Sequence, residues 1–186
     1  MLKRNHALFA TVVAATLMFL GLSQCNPITG SQRPDHLPVK LIRVHDGDTV
    51  SVIINRKKEK VRLIGIDAPE LRQRPWGTIS KKHLNKIFED SGWSVAIELD
   101  IDQRDKYGRL LAYIWTRDGK MVNLEMIKGG HAVLYTIPPN VKHADEFREA
   151  QRTARENRLN IWGKKGLRQL PEDYRKTHSD RHSWLR

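Results

Sequence analysis

Six charged side chains stand where they can do chemistry together. Asp46 and Asp48 occur in His45-Asp46-Gly47-Asp48-Thr49. Arg62, Asp67 and Glu70 punctuate Arg62-Leu63-Ile64-Gly65-Ile66-Asp67-Ala68-Pro69-Glu70, and Arg109 ends Asp105-Lys106-Tyr107-Gly108-Arg109. Carboxylates at the ends of apolar runs, beside an arginine, suit a site for a metal and a phosphate. Calcium and similar hard cations take oxygen ligands from carboxylates, backbone carbonyls and water. Asp48 and Asp67 can share one such ion, with the Ala68 carbonyl as a neutral third ligand. Glu70, near a bound metal, can orient or deprotonate a water that attacks phosphorus. Arg62 and Arg109 supply guanidinium donors for charge developing on phosphate oxygens, a contribution of roughly 3 kcal/mol for a well-aimed donor.

Each residue also has a plainer explanation. Aspartate beside glycine or proline is a common turn former, and this suits Asp46 best. A lone loop glutamate is usually solvated, and Arg109 is explicable as a turn charge before Leu110. Arg62 is harder to set aside. It interrupts Val61, Leu63 and Ile64, so it needs a partner such as Asp48 or a phosphate.

The elements that must position these groups are mostly short strands. Val39 to His45, Thr49 to Asn55 and Lys60 to Ile66 form a meander, with Asp46-Gly47-Asp48 and a charged tip at Arg56 to Glu59 as its turns. If the second and third strands pair, Asp48 and Asp67 fall at one open end. Thr78 to Glu89 has helical spacing, with Ile79, Leu84, Ile87 and Phe88 as its stripe. Trp93 to Gln103 alternates, which places Trp93, Val95, Ile97, Leu99 and Ile101 on a core face and Ser94, Ala96, Glu98, Asp100 and Asp102 toward solvent. Leu110 to Trp115 is the fifth strand. A short helix at Asn123 to Lys128, an apolar run at Ala132 to Thr136 and a charged helix at Val141 to Arg158 follow, the last burying Val141, Ala144, Phe147, Gln151 and Ala154. This order predicts an α+β fold, a five-stranded OB-fold β-barrel with an inserted helix and C-terminal helices. The domain runs from residue 38 to 163, and 164–186 reads as a basic, mobile tail.

Among the 186 residues the formal net charge is +12, with 39% hydrophobic residues. That is enough apolar material for a core, and it excludes wholesale disorder. The charge favours an anionic partner, nucleic acid before a membrane surface. Lys3 and Arg4 precede the uncharged run Ala7 to Leu22, shorter than the ~20 apolar residues of a spanning helix. Residues 1–25 therefore read as an export signal or a membrane anchor, and 26–37 as a Pro- and Gly-containing linker. Leu22-Ser23-Gln24-Cys25 resembles a bacterial lipobox, although Gln24 departs from the small residue expected there. Lipidation of Cys25 would attach the chain to the cell envelope. A single cysteine excludes an intramolecular disulfide and a cysteine-based zinc site.

The four motifs His45 to Thr49, Arg62 to Glu70, Asp105 to Arg109 and Leu159-Asn160-Ile161-Trp162 occur in the order seen in the thermonuclease (staphylococcal nuclease-like) family, which this chain resembles from about Val39 to Trp162. The resemblance implies an OB-fold and calcium-dependent hydrolysis of DNA and RNA phosphodiesters that leaves a 3′-phosphate. It makes Asp48, Asp67 and the Ala68 carbonyl the calcium ligands, Glu70 the residue for the attacking water, and Arg62 and Arg109 the phosphate clamps. Asp46 becomes a supporting carboxylate beside the ligands, and Tyr107 and Tyr135 nucleotide contacts. Ile137 stands where the family often has a second tyrosine, and Ala68 replaces a frequent threonine. His45, His83, His131 and His143 lack metal-ligand spacing and read as structural or surface groups. Trp76, Trp93, Trp115 and Trp162 suit the core or the barrel cap better than base stacking.

Lys57, Lys58, Lys60, Lys81, Lys82 and the basic tail would steer a polyanion. Two other classes share these features: an OB module that binds nucleic acid without cutting it, and a basic envelope protein that only holds anionic lipid.

Overall fold

The structure is a computed structural model, and it describes residues 36–178. The Cys25, signal and anchor expectations lie outside those residues. Among the described residues no helix is long and apolar enough to cross a membrane.

The chain forms β1 (His36–Val44), β2 (Thr49–Ile54), β3 (Lys57–Leu63), β4 (Gly65–Asp67), α1 (Trp76–Asp90), β5 (Ser94–Glu98) and β6 (Leu110–Thr116). There follow α2 (Val122–Lys128), β7 (Val133–Tyr135), α3 (Ala144–Glu156), a 3-10 turn at Asn160–Trp162 and α4 (Pro171–His178). Strands β1-β2-β3-β6-β5 close into a barrel, and β4 pairs with β7 in a separate two-stranded sheet. All barrel pairings are antiparallel except β3 with β6. The five-stranded OB-type barrel expected from the sequence is therefore present, with α1 inserted and helices following it.

Among the boundaries that differ from the sequence expectation, four have a clear physical cause. First, β1 opens at His36, inside the expected linker, because His36 and Leu37 pair with Glu98 and Ile97. Second, the run Lys60 to Ile66 is not one strand. Its direction changes at Gly65, whose φ of +77° favours glycine, and a Cβ there would lie 2.4 Å from the Phe147 ring. The break gives β4 its own partner and puts the fully buried Phe147 of α3 against the turn. Third, β5 stops at Glu98, so the alternation does not extend to Gln103. Glu98 is buried, not solvated. It accepts a hydrogen bond from Trp115 Nε1 at 2.7 Å and pairs with Lys142 and His143, whereas Ile101 is exposed. Fourth, α3 begins at Ala144 and buries Phe147, Ala150 and Ala154, while Val141 is exposed.

The core fills the barrel with Leu41, Val50, Val52, Val61, Leu63 and Ile97, and α1 and α2 add Leu84, Phe88, Met126 and Ile127 beneath it. Each such side chain contributes about 1.5–3 kcal/mol by leaving water. Asn123 plugs the seam between barrel and helices. Its side chain accepts from Ile114 N and donates to the carbonyls of Ile64 and Ala112. The Leu159 to Trp162 motif closes the domain: Ile161 N donates to Gly130 O, and Asn160 Nδ2 donates to Gly129 O.

His131 belongs to this closure, stacked on His83 with ring centroids 3.8 Å apart. Burial, aided by His83, pushes its pKa down from 6.5 to about 4. The folded chain thus binds fewer protons than the unfolded chain between those values. This contribution to stability is complete above pH 6.5 and is lost as pH falls toward 4, by up to about 3 kcal/mol. Urea midpoints measured from pH 7 to pH 4 should fall more steeply for the native chain than for His131→Gln. Parallel curves would refute the assignment.

Candidate metal and phosphate site

The site begins at the β1–β2 turn. Asp48 N donates to Asp46 Oδ1 at 3.1 Å, and His45 N donates to Thr49 O. Glycine is required between the aspartates, because a Cβ on Gly47 would sit 2.5 Å from Ala68 Cβ and 2.9 Å from Ser80 Cβ. That close approach seats Asp48 against the end of β4. Its Oδ2 accepts from Ala68 N at 2.7 Å and its Oδ1 from Thr49 Oγ1 at 3.0 Å.

Arg62, on β3 opposite Thr49, joins the two motifs. Its Nη2 lies 3.3 Å from Asp48 Oδ2 and 3.2 Å from Asp67 Oδ1, while Nη1 donates to Leu63 O at 2.8 Å. The partner that a mid-strand arginine requires is thus a pair of carboxylates. Asp67 is 1% exposed. Burial raises its pKa, and Arg175 and Arg62 act against that rise. Asp46 is pushed up to about 6 by burial and by the charge of Asp48.

Glu70 follows Pro69 at the rim. Its backbone is fixed by Gln73, whose Oε1 accepts from Glu70 N and whose N donates to Glu70 O. Gly77 permits this loop to lie on α1, since a Cβ there would meet Glu70 O at 2.1 Å. The carboxylate itself is partly open, 38% exposed on its side chain.

Arg109 lines the same cleft as Asp48, Arg62, Asp67 and Glu70, but it is held by Asp105 and not by those carboxylates. Arg109 Nε donates to Asp105 Oδ2 at 2.6 Å, and Asp105 Oδ1 accepts from the backbone N–H groups of Tyr107 and Arg109. Burial tends to raise the Asp105 pKa, yet these donors hold it below the ordinary carboxylate range. Tyr107 is 72% exposed, with the Arg109 guanidinium 5.5 Å from its ring centroid. Tyr135 and Ile137 also line the cleft, as do Lys60, Arg104 and Lys106.

The roles of two residues in this cleft are absent from the sequence expectation. Asp105 orients Arg109; its position four residues before an arginine in a Gly-containing turn was the available signal. The other is Arg175 on α4. Its Nη1 donates to Asp67 Oδ1 at 3.0 Å and to Glu70 Oε1 at 2.9 Å, and its Nη2 donates to Asp67 Oδ2 at 2.8 Å. Part of the expected mobile tail is therefore a helix seated on the site.

Carboxylate oxygens are the donors a hard cation takes. Asp48 and Asp67 bring two buried carboxylates to one guanidinium, and a second guanidinium also reaches Asp67. Among the described residues no three His, Cys, Asp or Glu side chains form a metal cluster. An ion here would need backbone oxygen and water to complete its shell.

Comparison with known proteins identifies the family. The model for the staphylococcal nuclease homologue family matches residues 60–164. The chain is 43% identical over 135 residues to endonuclease YncB of Bacillus subtilis, covering 69% of this chain and 63% of that protein. It is 41% identical over 135 residues to the SPbeta prophage-derived endonuclease YokF of the same organism, covering 69% and 45%. With the thermonuclease of Staphylococcus intermedius it shares 39% over 129 residues, covering 64% and 73%. The alignments thus span less than two thirds of either Bacillus endonuclease. A closed five-stranded barrel, a carboxylate pair bridged by Arg62 and a family match that takes in Arg62, Asp67, Glu70 and Arg109 lead to one conclusion: the chain belongs to the family of staphylococcal nuclease homologues.

Proposed function

We propose that the protein is a calcium-dependent nuclease that hydrolyses phosphodiester bonds of DNA and RNA with little sequence preference. The observation that carries this reading is the bridge from Arg62 to both Asp48 and Asp67 within one cleft lined by acidic and basic side chains. Asp48, Asp67 and the Ala68 carbonyl would hold the calcium ion, which when bound neutralises phosphate charge and polarises the reacting phosphorus. Glu70 takes the proton of the attacking water, a role suited to a partly exposed carboxylate at the cleft rim. Arg62 and Arg109 donate to the phosphate oxygens as charge builds on them, each preoriented by a carboxylate partner. Asp46 supports Asp48 through its backbone N–H. Tyr107 and Tyr135 offer ring faces to a nucleotide, and Lys60, Arg104 and Lys106 attract the polyanion. The charged start and apolar run of the N-terminus support export to the cell envelope or beyond, with Cys25 as a site of lipid attachment.

Chelation separates this reading from a silent binding module. In excess EDTA, cleavage of single-stranded DNA should stop and return with calcium. Retained DNA affinity with no cleavage under any calcium concentration would favour the binding module.

A further inference from the structure

Helix α4 lies beyond the family match, which ends at residue 164, and yet it delivers a cation to the centre of the site. Arg175 engages both oxygens of Asp67 and one oxygen of Glu70. Asp67 Oδ1 also receives Arg62 Nη2 at 3.2 Å, so guanidinium donors take three of the carboxylate's roughly four acceptor positions. A divalent ion ligated by Asp67 would sit beside a guanidinium bound to the same oxygens, and like charges that close repel strongly.

The attachment of α4 is light. Of its residues only Pro171 is buried. The approach to the helix is held by Gln73 Nε2 donating to Gln169 O at 2.9 Å, and Gln73 is the same residue that fixes the Glu70 backbone. A short helix with so little buried surface can leave without unfolding the barrel. Arg175 itself is 41% exposed on its side chain, so water can replace its contacts.

We propose that α4 is an autoinhibitory latch, with Arg175 acting as a tethered cation that a divalent metal ion must displace from Asp67 and Glu70. The latch rests on the reading of Asp67 as a metal ligand. In the latched state the ion competes with an intramolecular partner, and Glu70 is occupied as well. Metal affinity is therefore reduced by the fraction of molecules that are unlatched. Calcium binding and release of α4 become one coupled event, which keeps the protein inactive where calcium is scarce.

Isothermal titration of calcium chloride into the full chain tests this without reference to cleavage. Arg175→Ala should bind calcium about ten-fold more tightly than the native protein. It should also show the larger calcium-induced rise in melting temperature. Arg175→Lys, which keeps a charge and loses the fork, should fall between the two. Equal or weaker calcium binding in Arg175→Ala overturns the latch and leaves the site reading intact. No calcium binding by either protein overturns both.

Discussion

Arg62→Ala is expected to reduce cleavage of single-stranded DNA by about a thousand-fold at saturating calcium. Losing one donor to a developing oxyanion costs roughly two to three orders of magnitude in rate. The larger end applies because Arg62 also spaces Asp48 and Asp67 through a single Nη2. The same substitution should lower stability in EDTA, since it leaves Asp48 without its guanidinium partner at a buried position. Breaking a buried pair typically costs about 3 kcal/mol or more. The loss here should be smaller, about 1–3 kcal/mol, because Arg175 still neutralises Asp67. Calcium should restore much of that stability and none of the rate. Arg62→Lys, which retains charge without the fork, should recover stability better than activity. Initial rates and urea midpoints, each with and without calcium, check these outcomes. Cleavage within a few-fold of the native rate would remove Arg62 from the chemistry.

Asp67→Asn is expected to be equally damaging to cleavage, again about a thousand-fold, through a different route. It removes a charged ligand and leaves a side chain of the same shape. Its effect on stability should be slight, and here the contrast with Arg62→Ala is informative. Burial disfavours the Asp67 charge strongly enough that its pKa is raised despite two arginines. Neutralising it therefore relieves a desolvation cost while forfeiting the pairs. Arg62 keeps Asp48 and the Leu63 carbonyl, whereas Arg175 keeps only Glu70. Amide exchange in α4 should accordingly speed up in Asp67→Asn. A variant that cleaves normally, or whose α4 is as protected as before, would contradict the placement of Asp67 at the junction of metal and latch.

How much of this was legible in the sequence depended on the range of the interaction. The barrel strands were readable because alternation is local, and the site motifs because Asp-Gly-Asp and Asp-Ala-Pro-Glu sit at strand ends. Arg62 announced itself as a charge in an apolar strand. The features that were missed are set by distant residues. Nothing near Gly65 shows that Phe147 would pack on it and split the strand there. Glu98 looked like the polar half of an alternating strand, yet Trp115, Lys142 and His143 arrive from other elements and bury it. Arg175 was hidden in a basic tail, where one charge looks like another. Its role comes only from the position of α4 over the cleft.

Asp48, Asp67 and the groups around Arg62 are proposed to form a cation-dependent hydrolytic site. The most direct measurement is the initial rate of cleavage of single-stranded DNA by the full chain as calcium is titrated from excess EDTA to saturation. The rate should rise from background along a saturating curve, and Asp48→Asn should stay at background throughout. A native rate indifferent to calcium, or full activity in Asp48→Asn, would contradict it.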